Sequence, residues 1–312
     1  MQMPKPLIKF LSWFDNSHVK ETDNVGEAID WLRVIPFVLM HLACLFVLVV
    51  GCSPIALWVA FFSYGIRMFA ITAFYHRYFS HKAFKTSRVC QFLFALLGAT
   101  ATQRGPIWWA SHHRRHHRYS DKDQDIHSPR HGFLWSHMGW FLCLKHFNTR
   151  ESWVRDLLKY PELRWLDRFD IIMPILYAFG LLGLGNWLGS AYPELNTSGW
   201  QMVIWGYFIS SVVLIHCTLF VNSLAHVWGN QRYVTEDDSR NNLFIALVTL
   251  GEGWHNNHHH YPVSARQGFF WWEIDISYYI LKLMAMVGLI WDLQPVPKNR
   301  LTSDLIVKES SI

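Results

Sequence analysis

Four stretches of this chain are apolar over about the 20 residues that a bilayer crossing requires. They run from about Trp31 to Val50, Pro54 to Tyr75, Asp170 to Gly189 and Gly199 to Asn222. Such runs constrain the fold strongly. A backbone in hydrocarbon must satisfy its own hydrogen bonds, and a helix does so within one segment. Composition agrees: 51% of residues are hydrophobic, 16% aromatic and only 16% charged, against about 25% charged in an ordinary soluble domain. A disordered chain, a coiled coil and a small disulfide scaffold are excluded. Cys44, Cys52, Cys90, Cys143 and Cys217 form no CxxC pair and read as small apolar fillers.

Charge orients the spans. Only Gly51, Cys52 and Ser53 separate the first two, which makes a tight helical hairpin, and the link from Ser190 to Ser198 has no Lys or Arg. Lys5, Lys9, Lys20 and Arg33 precede the first span or sit at its edge. The stretch from His76 to Arg168 and the tail after Asn222 are rich in Lys and Arg. The positive-inside rule puts all three in the cytoplasm. The expectation is an all-α polytopic membrane protein forming a single domain over 1–312. Four transmembrane helices (about 31–50, 54–75, 170–189 and 199–222) carry a cytosolic helical cap built from 76–169 and 223–312. Both termini are cytoplasmic. The net charge of +5 is read as contact with the lipid bilayer, with no nucleic acid partner. Arg67 faces the bundle interior or the cytoplasmic mouth. Val89–Thr102 is short, and Phe269–Trp291 is broken by Glu273, Asp275 and Lys282. Both read as helices packed on the cap or lying at the interface. Gly183 and Gly185 lack the third glycine of a dinucleotide fingerprint.

The chain has 18 histidines, and they are clustered. His76 and His81 form H-x4-H in HRYFSH. His113, His116 and His117 form H-x2-HH in HHRRHH, and His255, His258 and His259 repeat that pattern in EGWHNNHHHYP. His226 stands in NSLAH. Helix positions i, i+3 and i+4 share a face, so an H-x2-HH box can aim three imidazoles at one point. The H-x4-H pair is about 140° apart on an ideal helix and converges only at a helix end or where the chain unwinds. Every group lies at the cytoplasmic end of its nearest span. One metal takes three to six ligands, so these nine imidazoles suit two metals, and imidazole suits Zn, Cu, Fe and Ni. His41 and His216 read as surface or satisfied core residues.

HRYFSH, HHRRHH and HNNHH resemble the three histidine boxes of the membrane fatty-acid desaturases, with the stearoyl-CoA (Δ9) desaturase-like branch nearest. The likeness runs from about Trp31 to Pro297, and DIHSPRHGFLWSHMGW and NSLAH share in it. The resemblance implies a four-helix membrane fold under a cytosolic cap with a diiron site. The ligands would be His76, His81, His113, His116, His117, His226, His255, His258 and His259, with Asn222 holding a water on one metal. Trp109 would line the acyl tunnel. Where the animal enzymes carry an Arg-Asp pair before the second box, this chain has Ser111 and His112, so the acyl carrier, CoA or lipid, does not carry over. His260 also replaces a non-histidine residue, and His112 and His260 are spare imidazoles.

Desaturating a methylene pair breaks two unactivated C–H bonds, which needs a redox metal and dioxygen. Two iron ions (Fe2+) fill that role, and zinc is a competing occupant. Without haem, flavin or iron–sulfur motifs in this chain, the electrons come from a separate protein, a ferredoxin or a cytochrome b-type carrier with its reductase. Asp121, Asp123, Asp125, Asp238 and Glu252 are candidates to orient the imidazoles. Trp108, Trp109, Trp135, Trp254, Trp271 and Trp272 are candidates to wall a tunnel, with an interfacial belt the competing role for the last two. The alternative is a diiron hydroxylase of an alkyl or acyl chain; alkane-oxidising relatives have Glu where this chain has Arg77. A metal transporter is the remotest alternative, because its ligands belong near the bilayer midplane.

Overall fold

The computed structural model describes residues 5–18 and 28–306. Lys20, both chain ends, and the side chains of Lys5, Lys9 and Arg33, all used to orient the chain, lie outside the described residues.

Among the described residues, three helices are long and apolar enough to cross a membrane: Pro54–Ser80, Ile172–Ala191 and Gly199–His226. The segment expected to be the first span is helical in pieces. Trp31–Ala43 passes through a 3-10 turn, Cys44–Phe46, into a last turn, Val47–Val50. Pro36 inside the first piece removes one backbone donor. The hairpin that follows turns at Gly51, whose φ of +66° suits glycine. Ser53 then starts the next helix: its hydroxyl accepts from the Ala56 amide at 3.3 Å, and Pro54 occupies the first helical position.

The Pro54–Ser80 helix outruns its expected end at Tyr75. It is α-helical to Phe69 and then a π-helix over Ala70–Ser80. The i→i+5 bonding of a π-helix widens each turn. Arg67 points into the bundle and is 1% exposed. Its donors reach the carbonyls of Ser63 (3.0 Å), Thr100 (3.2 Å) and Gly206 (3.4 Å) and the hydroxyls of Ser210 and Ser211. A buried charge is tolerable only with such satisfaction. Ile172–Ala191 pairs closely with the start of Gly199–His226. A Cβ on Gly185 would sit 2.5 Å from the Ser198 carbonyl oxygen, so glycine there lets the backbones touch.

His41 and His216 are not isolated. His41 Nε2 lies 3.0 Å from His216 Nε2, and His216 Nδ1 lies 2.9 Å from Nε2 of His137. His41 Nδ1 is held by the Phe37 carbonyl and His137 Nδ1 by the Ser223 hydroxyl. Because His216 uses both nitrogens, this is a linear chain and not a convergent metal site. It ties the Trp31–Ala43 helix to the Gly199–His226 helix and to the cap.

The segments expected to form the cap contain the helices Arg88–Ala99, Pro106–Tyr119, Pro161–Arg168, Leu243–Val248, His255–His260 and Ile276–Met286. Phe269–Trp291 is helical only over Ile276–Met286: Asp275 caps that helix by accepting from the Tyr278 amide at 3.0 Å. Its end forms a two-residue strand, Ile290–Trp291, antiparallel to Lys85–Thr86. Membrane helices and cap share one core, in which Met68, Ile71, Phe74 and Leu214 pack with Phe84, Phe94, Ile107, Leu163 and Leu281. Phe74 stacks on Phe94 at 3.8 Å. For the side chains outside the spans, such as Phe84, Ile107, Leu163 and Leu281, removal from water contributes about 1.5–3 kcal/mol each, and close packing holds them to the helices that position the histidines.

Candidate metal centre

All nine box histidines converge, and they sort into two groups. His76, His81, His113, His117 and His258 form one; His116, His226, His255 and His259 form the other. Within each group the ligand nitrogens lie within 4.8 Å of one another. The π-helix explains how His76 and His81 meet. Its wide turn brings residues five apart onto one side, and their rings are 4.8 Å apart. His76 therefore lies inside the helix and not past its end.

The H-x2-HH boxes behave differently from the expectation that each aims three rings at one point. His113 and His117, at i and i+4, serve the first group, while His116 turns to the second. In the other box His255 and His259 serve the second group and His258 the first. On a helix the i+4 residue lies about 40° to one side of i and the i+3 residue about 60° to the other, so one helix can serve both groups from the two flanks of a single face.

The nitrogens face one another: His76 and His258 at 3.0 Å, His81 and His113 at 2.8 Å, His117 and His258 at 2.9 Å, and His226 and His255 at 3.0 Å, all through Nε2. Metal–imidazole bonds of about 2.0–2.1 Å set at right angles would place neighbouring nitrogens about 3 Å apart. Burial and the neighbouring imidazoles hold His81, His113, His117, His255 and His258 well below the ordinary histidine value. Neutral imidazole is the form that binds metal. His259 Nε2 is buried with no hydrogen-bond partner among the described residues. The donor set therefore fits two cations of the imidazole-preferring kind.

Carboxylates grip the far nitrogen of four rings. Glu252 bonds His76 Nδ1, Asp125 bonds His116 Nδ1 at 2.9 Å, Asp121 bonds His226 Nδ1 at 2.8 Å and Asp237 bonds His259 Nδ1 at 2.6 Å. This fixes ring orientation and leaves Nε2 as the nitrogen that could bind a metal. Burial pushes these carboxyls up, but their cationic and imidazole partners more than reverse it, so all four stay below the usual carboxylate range. His116 is raised, since Asp125 outweighs the effect of burial. Glu252 is itself held by Arg77, which also bridges to Asp275 at 2.9 Å. Gly251, at φ +130°, is needed there: a Cβ would stand 2.4 Å from Asp275 Oδ1.

Of the five acids singled out in the sequence, Asp121, Asp125 and Glu252 touch box histidines. Asp123 is exposed, and Asp238 pairs instead with Arg130 at 2.8 Å. Asp237, one residue earlier, was missed. So was His127, which packs 4.2 Å from the His116 ring and forms a small group with His116 and Asp125. His112 binds the Trp108 carbonyl at 3.0 Å and His260 the Arg300 carbonyl at 2.8 Å, so neither joins the nine.

Asn222 and Trp109 border a cavity of about 40 Å³ that touches His76 and His113 of one group and His116 and His255 of the other. Both residues also line a larger, mostly apolar cavity of about 260 Å³, which continues past Thr218 and Gln103 to Met40, Leu219 and Phe141. Trp109 stacks on His113 at 4.9 Å. Trp108 shares the larger cavity, together with Trp140, which the sequence reading overlooked. Trp135 lies outside it, Trp254 donates to the Ile274 carbonyl at 2.8 Å, and Trp271 and Trp272 are exposed at 82% and 54%.

A helical chain with membrane-length apolar helices, two histidine nests and an apolar cavity ending beside them has the makings of a membrane metalloprotein with room for an apolar ligand. Comparison with known proteins agrees. The "Fatty acid desaturase" family profile matches residues 53–287. A sn-2 palmitoyl-lipid 9-desaturase of Nostoc sp. is 37% identical over 83% of this chain and 88% of its own. Delta-9 acyl-lipid desaturase 2 of Arabidopsis thaliana is 38% identical over 77% and 75%. An acyl-CoA C20 Delta5-desaturase of Anemone leveillei is 37% identical over 82% and 78%. The chain belongs to the fatty acid desaturase family. It is a membrane protein of lipid metabolism.

Proposed function

We propose that the chain introduces a cis double bond at Δ9 of a saturated acyl chain carried on a membrane lipid or on CoA. Each turnover consumes dioxygen, two electrons and two protons and yields the alkene and two waters. The observation that carries this reading is the apolar cavity whose end, at Trp109, His113 and Asn222, abuts both histidine groups. The five-histidine and four-histidine groups would hold two iron ions, and Asn222 would hold a water beside one of them. Bound there, a redox-active metal pair supplies the oxidising power for C–H cleavage that no side chain possesses.

The protein's own residues do the rest. Glu252, Asp121, Asp125 and Asp237 keep four imidazoles in one tautomer and one orientation. Trp109, stacked on His113, sets the wall against which two methylenes lie, and the apolar lining excludes bulk water. Four membrane crossings, including the Trp31–Val50 segment, place the cap and both termini on the cytoplasmic side, where a ferredoxin or cytochrome b-type carrier reaches it. Fatty-acid analysis of cells expressing the chain tests the reaction. A new monounsaturated acid with its bond at carbon nine is expected, and its headgroup class identifies the carrier. An unchanged profile, or a hydroxylated acid, overturns the proposal.

A further inference from the structure

A further cavity, of about 640 Å³, adjoins the acyl cavity and shares Arg104 and Phe147 with it. Small-molecule sites commonly enclose about 300–1,000 Å³. Arg104 stands pinned between the two spaces. Its Nε donates to Asp170 at 2.7 Å and its Nη2 to the Phe147 carbonyl at 3.2 Å, while the guanidinium lies 5.2 Å from the ring centre of Trp108, which lines the acyl side. Arg168 and Phe169, on the wall of the larger space, come just before the helix Ile172–Ala191, which has the length and apolarity of a span. The cavity therefore lies near the end of a span, where lipid headgroups are found.

Its lining offers little open charge. Arg104 is paired with Asp170 and Arg168 with Asp15, each at 2.7 Å. Arg164 makes no ion pair among the described residues, and the exposed Glu151 opposes it. Asp167 adds a carboxylate whose oxygens accept from the Trp108 amide at 2.8 Å and the Thr149 hydroxyl at 3.0 Å. Asn16 donates its side-chain NH₂ to the Asp167 carbonyl at 2.8 Å and to Asp170 at 2.9 Å, which leaves its amide oxygen as an acceptor. Trp165 is 46% exposed and leans on Phe169, with ring centres 5.7 Å apart. A polyphosphorylated carrier such as coenzyme A calls for unpaired Lys and Arg. Here Arg164 alone meets that need, against Asp167 and Glu151. Carboxylate, hydroxyl and amide groups beside an open indole face suit a ligand that is rich in hydroxyls and carries no charge.

We propose, on the desaturase reading above, that this cavity seats the headgroup of the acyl carrier and that the headgroup is an uncharged sugar. The substrate is then a glycosyl diacylglycerol of the membrane. The sugar ring lies against Trp165, and its hydroxyls reach Asp167, Thr149 and Asn16. The ester-linked acyl chain passes Arg104 and Phe147 into the apolar cavity.

Native mass spectrometry of the purified full-length chain in detergent tests this, with dipalmitoyl monogalactosyldiacylglycerol, dipalmitoylglycerol, dipalmitoyl phosphatidylglycerol and palmitoyl-CoA as probes. The galactolipid should bind tightest. Trp165→Ala should weaken it about three- to tenfold, the worth of one aromatic contact, and leave dipalmitoylglycerol unchanged. Trp165→Phe, which keeps a ring, should recover part of the loss. Trp272→Ala, an exposed indole outside the cavity, should alter none of the four and so separates sugar contact from general membrane affinity. Equal binding of the galactolipid and dipalmitoylglycerol, tighter binding of phosphatidylglycerol or palmitoyl-CoA, or an unaltered galactolipid affinity in Trp165→Ala overturns the assignment. Binding needs neither metal nor electrons. Galactolipid held in the expected order by a chain that forms no double bond when loaded with iron and reduced would count against the desaturase reading and leave the headgroup site standing.

Discussion

Asp237 and Asp238 are neighbours with opposite circumstances, which makes them a controlled pair. The Asp237 carboxylate holds His259 Nδ1 at 2.6 Å, and the two side chains are 7% and 2% exposed. Asp238 pairs with Arg130 at the surface, with exposures of 43% and 56%. Removing the carboxylate that orients a metal-binding imidazole typically lowers metal affinity by about 10–100-fold, or about 1.4–2.8 kcal/mol. Asp237→Ala also strands a buried ring nitrogen, at about 1–3 kcal/mol, and loses the Oδ1 that accepts from Thr235 and the Ser239 amide. Asp237→Asn keeps that oxygen and isolates the effect on His259. The expectation is a loss near tenfold for Asn and toward a hundredfold for Ala. An exposed ion pair is worth about 0–1 kcal/mol, so Asp238→Ala should retain metal. The assay is metal per chain after equilibration against graded chelator. Equal retention in Asp237→Ala and wild type, or equal loss in the two alanine variants, would refute the role given to Asp237.

Three further outcomes are expected. Burial raises the Asp167 carboxyl to about 6 from an unfolded value of 3.8. The folded chain thus binds the extra proton at Asp167 between those values, and the stability this one group contributes is lost as pH rises from about 4 to 6, against the opposite slope of the buried histidines; the melting temperature of wild type minus that of Asp167→Asn should therefore fall over that interval and then level off. Leu219→Trp places a larger side chain against the 260 Å³ cavity and should shift the products toward shorter acyl chains, read by chromatography of the fatty acids. His41→Leu strands His216 Nε2, which now faces it at 3.0 Å. It should cost about 1–3 kcal/mol of stability while metal content stays at the wild-type value.

What the sequence disclosed was chemistry that repeats along the chain. Nine histidines in recurring spacings declared themselves, and so did the long apolar runs. What it concealed depends on backbone geometry between the motifs. The split of HHRRHH into His113 and His117 against His116 follows from where the Pro106–Tyr119 helix passes, and no spacing rule reports that. Asp237 and Asp238 are equivalent as letters; only the turn preceding Ser239 decides which reaches a histidine. His41, His137 and His216 are 175 positions apart at the extremes, so their chain of bonds could not be read from local pattern. The break at Cys44–Phe46 is similarly silent, because all three residues suit a helix interior as well as a 3-10 turn.

The π-helix over Ala70–Ser80 makes residue number itself a structural parameter. In an ordinary helix, removing one residue rotates everything beyond it by about 100°. Here a deletion between Ala70 and Tyr75 would also let the segment fall back to i→i+4 bonding, since a π-turn is an α-turn carrying one residue more. Ser80 Oγ, which reaches back to the Tyr75 carbonyl at 2.9 Å, and the His81 amide, which reaches the His76 carbonyl at 3.2 Å, span the same interval of five. Conservative replacements of Phe74 or Phe79 leave that interval intact, whereas the loss of one residue of any kind does not. Away from His76 and Arg77, this stretch should accept changes of spelling and reject changes of length.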